Sequence, residues 1–446
     1  MRDILVTLIV AGLIPIILRK PYVGILTWVW LSVMNPHTQG WGFAVNFPFA
    51  AIIGALTLVS LFINKVPKTA PNVPVVIVFV AFIIWMNVTT FFAIHPDLVY
   101  EQWEKVMKIM LMSYVTFILI RDKKHVQLLI GVIVFSLAYY GVKGGIFTLT
   151  SGGQHRVWGP GNSFIAGNNE IALALITTIP LLYYLQVTTK NKLAKYGLVA
   201  AMLLCAIAAL GSYSRGALLA LAAMGGFLWL KSQHKVRLAL LFILTIPLML
   251  AYMPEQWTER MDSINTYEED RSVAGRFNAW GMAYNLTKDR PIVGGGFVVT
   301  TRELFTRYAS DVGDEPRAAH SIYFQALGEH GYVGLGLYLL LGFLTWRSGD
   351  WIIRNTKDLK EYQWASNLAS MIQVSLVGFA SGGAFLSLLY FDVPYYLMVA
   401  MVATRIIVEK ALEEKEAALD SPVNSASSSQ QLGKPVHLRP ITRDTS

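Results

Sequence analysis

Three basic residues stand out for the chemistry their surroundings allow. Arg215 lies in Ser212-Tyr213-Ser214-Arg215-Gly216, Arg276 in Gly275-Arg276-Phe277-Asn278-Ala279-Trp280, and His320 in Ala318-Ala319-His320-Ser321-Ile322-Tyr323. A guanidinium offers a planar fork of donors that suits phosphate. An imidazole supplies a base near neutral pH. Arg215 opens an apolar segment, with Ser212 or Ser214 available as its cap. The free amides and positive dipole of that helix end favour an anion. The alternative is an arginine whose head snorkels to lipid headgroups. For Arg276 the alternative is a surface ion pair with Glu268 or Asp270, which contributes little. For His320 it is an interfacial histidine bonded to a loop carbonyl.

A second group lies nearby in sequence. Arg156 and Asn162 fall in a polar gap around the turn Gly159-Pro160-Gly161, and Asn169 and Glu170 open the segment after it. They would bind sugar hydroxyls, hold the arginines, or cap the helix. Tyr323 is one turn beyond His320 and is expected on its face, whereas Glu329 is expected on the opposite face. Several chemistries lack their parts. There is no His-Glu-x-x-His, no Asp-x-Asp, and the one cysteine is Cys205, so no metal site or cofactor is expected. Gly294-Gly295-Gly296 permits close backbone approach but is no nucleotide loop. No basic surface with interleaved aromatics points to nucleic acid.

The elements that position these residues are apolar. The 446 residues are 54% hydrophobic and 15% charged, against about 25% charged in soluble domains. Continuous apolar segments run near 4–19, 22–35, 44–64, 73–93, 105–120, 126–148, 166–187, 193–211, 214–231, 236–253, 320–346, 363–389 and 393–409. A bilayer demands helices of about 20 residues or closed barrels, and barrels alternate. The chain therefore reads as an all-α, polytopic transmembrane bundle of about 12 spans. The first two segments, interrupted by Pro15 and Pro21, are one bent helix or a hairpin.

Charge sets the sidedness. Lys65 and Lys68, Arg121 to Lys124, Lys190 to Lys195, Lys231 to Arg237, and Arg347 to Lys360 occupy alternate gaps, which places those gaps in the cytoplasm. The gaps 94–104, 149–165, 211–215, 254–319 and 390–393 then face outward, and the candidate residues gather there. The expected organisation is N-terminal transmembrane helices over 1–253, a periplasmic loop region over 254–319 with a short helix near 276–287, C-terminal transmembrane helices over 320–410, and a cytoplasmic, mostly disordered tail over 411–446.

His320-Ser321, nine residues, then Gly331-Tyr332-Val333-Gly334 resembles the signature of the O-antigen ligase superfamily. Ser214-Arg215-Gly216 is similar to its serine–arginine–glycine element. Arg276 with Trp280, Pro291 and Gly294–Gly296 is similar to its periplasmic-loop pattern. Together these cover about residues 150–345. The N-terminal part, with Met34-Asn35-Pro36-His37 and Phe47-Pro48-Phe49, looks more like an exosortase-associated O-glycosylation ligase subgroup. The resemblance implies metal-independent transfer of a glycan from undecaprenyl diphosphate to a lipid A–core hydroxyl, at the periplasmic face of a bacterial inner membrane. His320, Arg215 and Arg276 would then be catalytic. Arg156, Asn162, Asn169, Glu170, Ser214 and Tyr323 would bind substrate. A protein O-oligosaccharyltransferase or a repeat-unit polymerase shares that donor, and a lipid-linked oligosaccharide transporter is a rival of another class.

Overall fold

A computed structural model of the chain describes residues 1–232, 235–262, 271–311 and 315–420, so Glu268, Asp270 and the tail from Ser421 lie outside the described residues. All regular structure among these residues is helical. The helices are α1 (Arg2–Arg19), α2 (Pro21–Met34), α3 (Phe49–Ile63), α4 (Pro74–Phe91), α5 (Tyr100–Leu119), α6 (Lys123–Thr150), α7 (Asn168–Thr188) and α8 (Lys192–Leu210). They continue with α9 (Arg215–Lys231), α10 (Lys235–Tyr252), α11 (Glu255–Asp262), α12 (Arg271–Asp289), α13 (Arg302–Tyr308), α14 (Ile322–Thr356), α15 (Gln363–Gly383) and α16 (Asp392–Asp420). Each apolar segment read from the sequence coincides with one of these helices. Five are long and apolar enough to cross a membrane: α4, α6, α7, α8 and α14. Shorter apolar helices, among them α2 and α3, stand beside them.

The first two segments are a hairpin. Pro15 is carried inside α1, and Pro21 opens α2 at a position where its missing N–H costs nothing. The Asn64 amide and the Ser60 hydroxyl at the end of α3 donate to the Leu18 and Ile17 carbonyls at the end of α1. At the other end, the amides of Gly42 and Ala44 donate to Asp3. Helices α1 and α3 are thus parallel and α2 runs back between them.

Helix packing uses small residues to bring backbones close. A Cβ on Gly145 of α6 would stand 2.4 Å from the Leu204 carbonyl oxygen of α8. Threonines inside the bundle return their hydroxyls to their own helix, as Thr177 does to the Leu173 carbonyl and Thr178 to that of Ala174.

Several boundaries differ from the sequence reading. Helix α16 runs past the expected 409 to Asp420, into the stretch from 411 expected as a mostly disordered tail, and the short helix expected near 276–287 is the longer α12. The segment expected to run unbroken over 363–389 ends as helix at Gly383. Residues 384–391 form a connection whose side chains Leu386, Leu388, Leu389, Tyr390 and Phe391 are buried. An apolar loop sunk in protein has the hydropathy of a helix, so composition hides it. Helix α14 extends beyond the expected 346 to Thr356 and is broken at Gly331, which has φ 69° and ψ −171°. The break frees carbonyls, and the triple glycine satisfies them. The Gly295 and Gly296 amides donate to the Gly328 and Glu329 carbonyls at 2.8 and 2.9 Å, and the Tyr332 amide donates to Pro291 O at 2.9 Å. This accounts for Pro291 to Gly296 and Gly331 together, since both motifs serve one backbone crossing.

Candidate functional site

The ends of α4, α6, α8 and α15 and the starts of α5, α7, α9, α14 and α16 lie at one end of the bundle, where α11, α12 and α13 cover them. Ser214 caps α9 by accepting from the Ala217 amide at 3.2 Å, which leaves Arg215 as the first helical residue. The turn before it is held hard. Tyr213 has φ 61°, a left-handed conformation rare for a bulky side chain. Its hydroxyl donates to Gly153 O at 2.6 Å, and its carbonyl accepts from Arg260 Nε at 3.2 Å. The Arg156 guanidinium lies over its ring, 5.6 Å from the centroid. Asn168, at the start of α7, donates to Ser212 O at 2.7 Å.

His320 is not the helical residue expected. Ser321 is the N-cap of α14, and His320 precedes it with φ 43°. The relation to Tyr323 across one helical turn therefore does not apply. The Tyr323 hydroxyl donates instead to the Ala380 carbonyl of α15 at 2.9 Å. The histidine turn is gripped on both sides. Trp280 Nε1 of α12 donates to Ala319 O at 2.6 Å, and the His320 amide donates to Ser387 Oγ at 2.9 Å. The Trp280 ring stacks on Phe324, with centroids 4.9 Å apart and planes within 7°. The imidazole Nδ1 is buried without a hydrogen-bond partner among the described residues.

Two arginines act on the histidine. Burial first, and then the charges of Arg276 and Arg317, hold the His320 pKa below the usual imidazole value. Arg276 also attracts the Glu170 carboxylate, which sits over the start of its own helix at Gly167. Arg317 lies across Gly275, one residue before Arg276. Gly216, the residue after Arg215, meets Phe385. The Cβ position of Gly216 is 3.5 Å from Phe385 Cβ, and that ring stands 6.5 Å from Trp280. The site thus joins α7, the 211–215 turn, α12, the 315–320 segment and the 384–391 connection.

The structure brings Arg276 and Glu170 together and Arg276 beside His320, while Ser214 and Arg215 follow the Tyr213 turn over which Arg156 lies. Asn169 is half-buried between Asn168 and Glu170, and Asn162 is an exposed turn residue with φ 56°. Glu329 faces away from His320 and bonds to Gln325 and Tyr390. Arg317, Arg260 and Ser387 escaped the sequence reading. Arg317 carried a signal, since it is three residues before His320. Among the described residues, no three His, Cys, Asp or Glu side chains gather as metal ligands.

Comparison with known families agrees with the motifs. Residues 200–339 match a family described as O-antigen ligase, and residues 1–190 match a family of unknown function. No curated protein matches the chain. The resemblance read from the histidine, arginine and glycine motifs is thereby shown for the part of the chain that carries most of them.

Proposed function

From the O-antigen ligase match over residues 200–339, we propose that this multi-pass membrane protein transfers a glycan from undecaprenyl diphosphate to a lipid A–core hydroxyl. The reaction takes place at the periplasmic face of a bacterial inner membrane. The basic gaps lie at the opposite end of the bundle from His320, which supports that sidedness. About 12 spans would carry it, the shorter helices included. The observation that carries the reading is the placement of Arg276 and Arg317 beside an imidazole whose buried Nδ1 has no hydrogen-bond partner among the described residues.

In the transfer, the bond from the anomeric carbon to the diphosphate oxygen breaks, and a bond to the acceptor oxygen forms. Attack from the far side inverts the anomeric centre. His320 takes the acceptor's proton or orients its hydroxyl. Arg215, Arg276 and Arg317, with Arg156 at the edge, hold the diphosphate and stabilise the charge it gains on leaving. Fixed guanidiniums thus do the work that a divalent cation does elsewhere. The polyprenyl chain lies between helices, in the bilayer that supplies it. The N-cap of Ser214 and the carboxylate of Glu170 keep Arg215 and Arg276 in place.

The test is purified protein in nanodiscs, given undecaprenyl-diphosphate glycan with EDTA present and either lipid A–core or a pilin-like protein as acceptor. Glycan on lipid A–core, lost in His320→Ala with donor binding retained, is the expected result. Product on the protein acceptor alone assigns a protein O-oligosaccharyltransferase. Full transfer by His320→Ala removes the proposed base.

A further inference from the structure

A buried polar chain lies beside the site, and the transfer just described makes no use of it. His330 and Tyr390 are 0% and 1% exposed, and Glu329 is buried with them. The Tyr390 hydroxyl donates to Glu329 Oε2, and His330 Nε2 lies 2.6 Å from the same hydroxyl. A tyrosine has one hydroxyl hydrogen. With it given to the glutamate, Nε2 donates to the tyrosine oxygen, and Thr89 Oγ1 lies within hydrogen-bond distance of both Nδ1, at 2.7 Å, and Met86 O, at 3.0 Å. Gln325 closes the chain. Its Nε2 donates to Glu329 Oε1 at 3.2 Å, and its Oε1 accepts from the Leu389 amide at 3.3 Å. The Leu389 carbonyl accepts from the Tyr395 hydroxyl at 2.7 Å.

These bonds pin Leu389 and Tyr390, and Ser387 in the same connection receives the His320 amide. Glu329, His330 and Gln325 belong to the helix that Ser321 caps. A left-handed residue such as His320 persists only when its surroundings over-determine it. An apolar core would pack the connection at lower desolvation cost than this chain of polar groups, but it would not fix the connection's register against α14.

We propose that Tyr390, acting through the 384–391 connection and Ser387, is a positioning residue that holds His320 for proton transfer. This rests on the glycosyl-transfer reading above. The variants Ser387→Ala, Ser387→Thr, Tyr390→Phe and the double Ser387→Ala/Tyr390→Phe, with His320→Ala alongside, are assayed in nanodiscs for turnover, donor affinity and melting midpoint. Ser387→Ala and Tyr390→Phe should each lower turnover roughly tenfold or more, the scale set by small misplacements of a reacting group. Donor affinity should hold, and Ser387→Thr should restore most of the rate. The double variant should lose no more than the worse single one, because both act by one route. Where Tyr390→Phe fails to fold, the Ser387 pair decides: full turnover in Ser387→Ala, or no rescue by threonine, overturns the proposal. A folded Tyr390→Phe with normal turnover, or losses that multiply in the double variant, overturns it too. In those cases an inactive His320→Ala leaves the reaction itself standing. An active His320→Ala instead defeats the reaction reading, and the positioning role with it.

Discussion

Arg317 lies across Gly275 so closely that a Cβ on that glycine would stand 2.7 Å from the Nη1 of the guanidinium and 3.1 Å from its Cδ. The relationship separates stability from function. Alanine is favoured over glycine inside a helix by about 1 kcal/mol, and the clash falls on the far end of a flexible side chain. Gly275→Ala should therefore melt at or near the wild-type midpoint. It should bind undecaprenyl diphosphate several-fold more weakly, because Arg317 is pushed from its place beside Arg276. Isothermal titration and a thermal melt on one preparation check both. Unchanged affinity would remove Arg317 from the diphosphate site.

The pH profile tests the same cluster. Burial, then Arg276 and Arg317, hold the His320 pKa below its usual value. In the proposed transfer the neutral imidazole is the competent form, so kcat/KM should stay level as pH falls through about 6.5, the ordinary imidazole value, and drop only below it. Arg317→Gln takes away one repelling charge. The imidazole then protonates more readily, and the acid limb moves to higher pH. A limb that stays put, or moves to lower pH, contradicts the placement.

How much of this was legible beforehand follows from what hydropathy and spacing encode. The helices were visible because lipid forces continuous apolar runs. Arg215 and His320 were visible because each is a polar residue at the edge of such a run. Most of the connection over 384–391 was not, since its buried Leu386, Leu388 and Leu389 read as more helix. Ser387 was lost with it, and Tyr390 fell in the short gap beyond, where nothing in the sequence marked it. The left-handed turn at His320 was hidden for another reason. Nothing in Ala318-Ala319-His320 announces it, and it is imposed by tertiary bonds from Trp280 and Ser387. Gly331 was noticed as part of a motif, but its reason, the crossing with the triple glycine, needs residues about 40 apart in sequence.

That crossing gives a stability prediction. A Cβ on Gly331 would stand 2.2 Å from the Ile292 carbonyl oxygen, and φ there is 69°. Both backbone strain and the clash oppose a side chain, and neither neighbour is flexible. Gly331→Ala should cost about 3 kcal/mol. Gly336, in the same helix with nothing within 4 Å of its Cβ position, is the control. Gly336→Ala should be neutral or slightly stabilising by thermal melt. Equal midpoints for the two variants would mean that the kink at Gly331 is not a fixed feature of the fold.

Trp280 grips the histidine turn from the side opposite Ser387, and its two contacts can be separated. Its indole N–H donates to Ala319 O at 2.6 Å, while its ring stacks on Phe324. Trp280→Phe keeps most of the ring contact and removes the donor. One lost hydrogen bond costs about 1 kcal/mol of stability, so the protein should fold. The carbonyl preceding His320 would then be free to rotate, and the imidazole with it. Turnover should fall roughly tenfold, as small displacements of a reacting group do, with donor affinity preserved because Arg276 keeps its place one turn earlier on α12. Trp280→Ala also removes the stack and should lower both the midpoint and the rate. If Trp280→Phe transfers glycan at the wild-type rate while Trp280→Ala does not, the tryptophan serves as packing for Phe324 and its hydrogen bond to Ala319 has no part in holding the base.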